Sequence, residues 1–156
     1  MKFVRFESGD GVAAYGVVNG DKVNEISNSP IGQDYSETGS TYDLQDIKIL
    51  APNPHPSKML CLALNYGSHL LGADKPTRPE PFYKNTNAII GPGDAIRLPA
   101  EAGLVVCESE LVAIIGREAS KVSEQDALDY VFGYTAGNDV SAREWQSGAK
   151  ADKQWW

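Results

Sequence analysis

The sequence predicts a mainly β chain with a few short helices (α+β), organised in two units. Three observations carry this expectation. The first 26 residues alternate short apolar and β-branched runs with glycine-containing turns. Later runs, residues 59 to 64, 104 to 115 and 134 to 140, have the Val, Ile, Leu and aromatic content of strands. Only the stretch from Ser123 carries a clear helix-opening pattern.

Residues 2 to 6, 13 to 18 and 22 to 26 read as the strands of a small meander. They are separated by Ser8-Gly9-Asp10-Gly11 and by Asn19-Gly20-Asp21, the latter a type I′ hairpin signal. Residues 27 to 45 are rich in Ser, Gly, Thr and Asp and read as a polar connection. Pro52, Pro54 and Pro56 stiffen the next boundary, so the expected domains are residues 1–50, a small β domain, and residues 58–156.

In the second domain, the strand from Met59 to Leu64 runs into Asn65–Gly72, expected to be a short helix or a loop over a site. A loop with Pro76, Pro79 and Pro81 follows, and Gly91-Pro92-Gly93-Asp94 reads as a turn. Ser123-Glu124-Gln125-Asp126 resembles a capping box opening an amphipathic helix that buries Ala127 and Val131 and stops at Gly133. The chain ends on Trp155-Trp156, which suggests either aromatic docking or an interrupted sequence.

Composition excludes several classes. A net charge of −7 argues against unassisted binding to nucleic acid or to an anionic membrane. No run approaches the roughly 18 apolar residues of a membrane span, and the start lacks a signal-peptide core, so a cytoplasmic location is expected. Cys61 and Cys107 sit in apolar runs without metal-ligand spacing and read as buried thiols.

The chemistry concentrates at Glu108-Ser109-Glu110 and, further on, Asp139. The glutamates interrupt residues 104 to 115, which otherwise read as a strand buried on both faces. Residues i and i+2 of a strand share a face, about 7 Å apart at the backbone. Long glutamate arms there can converge on one ion. Unpaired carboxylates near a core are costly, and the remedies are protonation, a cationic partner or a metal. Three carboxylates and water suit Mg²⁺ or Mn²⁺, with Ca²⁺ possible. From these residues alone, an edge strand whose glutamates face water is an equal alternative.

Several motifs together decide between the two. Leu60-Cys61-Leu62-Ala63-Leu64-Asn65-Tyr66 with His69, Phe82-Tyr83-Lys84, Ile90-Gly91-Pro92-Gly93-Asp94, Glu108-Ser109-Glu110-Leu111, and Gly133-Tyr134-Thr135 leading to Asn138-Asp139-Val140-Ser141-Ala142-Arg143 resemble the fumarylacetoacetate hydrolase (FAH) family. The resemblance implies a mixed β-barrel domain, incomplete at its C-terminal end, behind the small N-terminal β domain. It implies that Glu108, Glu110 and Asp139 hold Mg²⁺ (or Mn²⁺), which grips a 2-oxo or β-diketo acid. It further implies His69 as the histidine that activates water, Lys84, Arg143 and Gln146 as substrate-binding residues, and a homodimer when full length.

One departure matters. Family hydrolases commonly carry a glutamate three residues after the histidine, and this chain has Gly72 there. The expected reaction is metal-dependent hydrolysis of a C–C bond in an acylpyruvate-like β-diketo acid. Decarboxylation or keto–enol isomerisation of a 2-oxo acid needs no such glutamate and is the first alternative. An inactive metal-binding fragment is the second.

Overall fold

The computed structural model describes residues 1–70, 72 and 74–151. Trp155 and Trp156 lie outside the described residues, so the expectation about them does too. The described residues are mainly β, with one α-helix and several short 3₁₀ turns. The chain forms two compact units: Met1–Ser27 with Glu37–Asp94, and Asn28–Ser36 with the residues from Ala95 onward.

The first unit is built on a five-stranded antiparallel sheet. Its strands are β1 (Lys2–Glu7), β2 (Ala13–Asn19), β3 (Lys22–Ile26), β4 (Glu37–Asp43) and β5 (Lys48–Leu50), in the spatial order β4-β3-β2-β1-β5. The meander is where the alternation put it. Asn19 pairs with Lys22 across a two-residue turn in which Gly20 alone has positive φ, at +64°. That is the pattern of a type II′ turn rather than the expected type I′, because glycine occupies the first central position.

Phe6 and Val23 are fully buried and Ile26 nearly so. The Tyr42 ring packs 5.2 Å from that of Phe6, and its hydroxyl donates to Glu25 Oε2 at 2.8 Å. Strand β4 corrects the expected polar connection: Thr and Tyr on its length pair with β3, with a register shift between Asn24 and Ile26. Cross-strand pairing outweighed the polar composition.

The same unit contains the antiparallel pair β6 (Met59–Ala63) and β7 (Glu80–Lys84). It also contains the Gly91–Asp94 turn, closed by Asp94 N–H on Gly91 O at 3.2 Å and by Gly91 N–H on Asp94 Oδ2 at 2.9 Å. A Cβ on Gly91 would lie 3.1 Å from Ala51 N and 3.3 Å from Leu50 Cα, so the turn presses against the end of β5.

In the second unit, β8 (Val105–Val106) pairs with β11 (Ser141–Ala142), and β9 (Ser109–Ile115) pairs with β10 (Val131–Asn138). Helix α1 (Arg143–Ala151) follows β11 directly. Three expectations are corrected here. Residues 104 to 115 are two strands separated at Cys107-Glu108, and Leu104, Leu111, Val112 and Ile115 are exposed rather than doubly buried. Cys107, between β8 and β9, is likewise exposed, and Cys61 on β6 is only half-buried, so neither is the buried thiol expected.

The expected amphipathic helix after Ser123 is a single 3₁₀ turn, Ala127–Tyr130. Its opening contacts do form: Ser123 Oγ donates to Asp126 Oδ2 at 2.7 Å and accepts from Asp126 N–H at 3.2 Å. The helix does not propagate because Val131 and Phe132, of high strand propensity, are drawn into β10 opposite β9, and Gly133 lies inside that strand. Among the described residues no helix is long and apolar enough to cross a membrane.

Candidate metal centre

The β9/β10 ribbon explains how three acids distant in sequence meet. Its register pairs Ser109 with Asn138 and Glu110 with Gly137, so the next step places Glu108 opposite Asp139. The Asp139 N–H donates to Glu108 O at 2.9 Å, extending the ladder by that step. Directly opposed residues of an antiparallel pair share a face, as do residues two apart on one strand. Glu108, Glu110 and Asp139 therefore project from the same side.

That side is the more covered one. Glu108, Glu110, Ile114, Thr135, Gly137 and Asp139 are half-buried, whereas Ser109, Leu111, Ile115, Tyr134, Ala136 and Asn138 on the other side are exposed. One carboxylate oxygen from each of Glu108, Glu110 and Asp139 lies within 4.8 Å of the others. The donor set is all carboxylate oxygen, which fits a hard divalent cation.

Gly137 makes the room. It sits opposite Glu110, and a Cβ there would come 2.7 Å from Val112 Cγ2 and 4.0 Å from Glu110 Cβ. Residue-by-residue reading missed it, although a glycine inside a strand is a recognised signal of close approach.

Helix α1 supplies the cationic border. Arg143 donates through Nη2 to Glu108 Oε1 and through Nη1 to Gln146 Oε1 at 2.8 Å, an i,i+3 pair along the helix. The helix start is anchored by Arg143 N–H on Leu104 O at 2.8 Å, Leu104 N–H on Glu144 Oε1 at 3.2 Å, and Trp145 Nε1–H on Glu101 O at 3.1 Å. The family resemblance implies Arg143 and Gln146 as substrate-binding residues, but no helix is expected here from the sequence. Ser141-Ala142-Arg143-Glu144 is the overlooked signal, a Ser followed three residues later by Glu.

Five of the predicted site residues, Glu108, Glu110, Asp139, Arg143 and Gln146, thus gather in the second unit. The other two belong to the first. His69 lies in the 3₁₀ turn Gly67–Leu70, exposed, with its N–H on Tyr66 O at 3.0 Å and its ring edge-on to that of Tyr66 at 6.0 Å. The chain enters that turn through Leu64, whose φ of +53° is uncommon for a non-glycine residue. Gly72 has φ +89°, where any other residue would be strained. Lys84 ends β7 opposite Met59 and is half-buried.

Residues 58–156 match the fumarylacetoacetate (FAA) hydrolase C-terminal family, and residues 1–52 match the Rv2993c-like N-terminal family. The chain belongs to the FAH family. A mitochondrial oxaloacetate tautomerase of Xenopus laevis is 44% identical over 112 residues, covering 70% of this chain and 35% of the tautomerase. The crystal structure of 2-hydroxyhepta-2,4-diene-1,7-dioate isomerase from Mycobacterium marinum has a TM-score of 0.83 and 38% identity, over 99% of this chain and 59% of that one. The maleylpyruvate hydrolase of a Sphingobium species, solved with manganese(II) and pyruvate, has a TM-score of 0.68 and 28% identity, over 90% and 58%. The chain thus spans about a third to three fifths of the length of these FAH-family relatives. Its described strands form no closed barrel.

Proposed function

We propose that the chain is the metal-holding part of a divalent-metal-dependent enzyme that interconverts the keto and enol forms of a small 2-oxo acid. The observation that carries this is the convergence of Glu108, Glu110 and Asp139 beside Arg143 and Gln146. A bound Mg²⁺ or Mn²⁺ would polarise the keto oxygen and stabilise the enolate. Arg143 would orient the substrate carboxylate, and Gln146, its amide carbonyl turned to Arg143, would offer its NH₂ to a substrate oxygen. Gly72, in place of the hydrolytic glutamate, and the named activities of the tautomerase and isomerase relatives favour this reaction.

C–C hydrolysis of an acylpyruvate-like β-diketo acid is the second reading. It is favoured by His69, exposed on its own turn, and by the maleylpyruvate hydrolase among the relatives. In that reading His69 activates water and Lys84 pairs with the substrate carboxylate. The division into domains 1–50 and 58–156 is supported by the two separate family matches, although the compact units divide elsewhere.

The test uses purified chain with Mn²⁺, enol-oxaloacetate and acetylpyruvate. Faster ketonisation, lost in Glu108→Gln and kept in His69→Ala, is expected. Cleavage of acetylpyruvate that His69→Ala abolishes would favour hydrolysis. Mn²⁺ binding without turnover of either compound would mark the chain as an inactive metal-binding part.

A further inference from the structure

In a regular antiparallel ladder a hydrogen-bonded pair exchanges two bonds, each residue's N–H meeting the other's carbonyl. The Glu108/Asp139 pair has only one of them in backbone form: Asp139 N–H donates to Glu108 O at 2.9 Å. The Glu108 N–H turns instead to the side chain of Asn138, donating to its Oδ1 at 3.1 Å. The Asp139 carbonyl, which a regular ladder would use, accepts from Ser141 Oγ at 3.3 Å.

We infer that Asn138 is a positioning residue whose amide oxygen replaces the missing ladder bond and thereby sets the spacing of Glu108 against Asp139. The inference rests on the metal-site reading above and deepens it. Asn138 precedes Asp139 and is exposed on the side of β10 opposite to the carboxylates. It acts on the backbone. With its bond made, β9 stays fastened to β10 through Glu108 while β10 leaves the ladder at Asp139 and turns toward β11 and Arg143.

The Glu108 backbone is thus held from both sides, its N–H by Asn138 and its carbonyl by Asp139, while Arg143 holds its carboxylate. A side-chain acceptor of asparagine length is needed because the backbone acceptor has been diverted. Asparagine suits this task, since its short amide competes well for nearby backbone groups.

The test compares wild type, Asn138→Leu, which keeps the size and removes the acceptor, and Asn138→Asp, which keeps an oxygen in place. Two quantities are read: Mn²⁺ affinity by calorimetry, and amide exchange by NMR. In Asn138→Leu the Mn²⁺ affinity is expected to fall by about 10–100-fold, the scale for residues that orient metal ligands. Exchange of the Glu108 amide should rise several-fold, on the order of tenfold for an ordinary hydrogen bond, while Val112 and Thr135 deeper in the ladder stay protected. Asn138→Asp should restore both.

Unchanged Glu108 exchange or unchanged affinity in Asn138→Leu would overturn the inference. So would loss of protection along the whole β9/β10 ribbon, which marks a general structural role. Wild-type protein that binds no Mn²⁺ at all overturns the underlying metal reading instead, and the inference with it.

Discussion

At the residue scale, the site is a problem of like charges held together. Three carboxylates within 4.8 Å repel one another unless cations compensate them, and among the described residues Arg143 on Glu108 provides such compensation. Replacing a ligand therefore removes binding without removing the fold. Glu110→Gln or Asp139→Asn should weaken Mn²⁺ binding in calorimetry by at least the roughly 10–100-fold typical of losses one layer further out, with near-unchanged circular dichroism. Gly137→Ala tests the close packing beside Glu110. Its Cβ would meet Val112 Cγ2 at 2.7 Å, so denaturant unfolding should show a loss of about 1–3 kcal/mol. Val112→Ala in the same chain should recover part of it, because the two residues share the contact.

At the element scale, the Gly91–Asp94 turn shows how local chemistry fastens a strand. Asp94 accepts the Gly91 N–H and pairs with Lys48 Nζ of β5 at 3.1 Å. Its carboxyl is held below its ordinary value of 3.8, first by the Gly91 N–H and then by Lys48. A depressed folded-state pKa means that the ionised form is the stabilising one. Its contribution is therefore complete above about pH 4 and is lost as the pH falls through the lowered value. Asp94→Ala should thus unfold more easily than wild type in urea at neutral pH, with the gap closing below the ordinary carboxylate range. A gap that persists unchanged in acid would refute this account.

Elements also mark where sequence patterns were legible. The meander and its hairpin were, because alternation and turn glycines are local signals that the sheet simply uses. The helix after Ser123 was misread because its capping contacts form while the following Val131 and Phe132 prefer the ladder. Strand β4 was hidden by its polar, exposed residues, which become a strand only because β3 offers an edge. Helix α1 was missed because its opening residues are also those that border the acids.

At the scale of the whole molecule, exposed apolar surface stands out. Leu111 and Ile115 on β9, Tyr134 on β10, and Leu60, Leu62 and Tyr83 on the β6/β7 pair are all exposed. Open ladder edges and such surfaces favour association. Light scattering on the purified chain should accordingly give a mass above its 16.9 kDa, whereas a monodisperse monomer would argue against it. Because a ligand that binds only the folded state stabilises it, Mn²⁺ at about 100 times its Kd should add roughly 2.7 kcal/mol. A thermal melt should show that gain in wild type and not in Glu108→Gln.

The sequence by itself determined the class of the fold and the family, and it singled out the three acids as candidates, since strand alternation, turn glycines and ordered motifs are written in neighbouring residues. It also exposed the departure at Gly72. Only the tertiary structure decided that Glu108 stands opposite Asp139, that Gly137 lies opposite Glu110 and against Val112, and that Arg143 and Asn138 hold Glu108 from two sides. The physical reason is register. Pairing between strands distant along the chain is set by long-range contacts and packing, and a shift of a single residue would turn every one of these side chains to the opposite face.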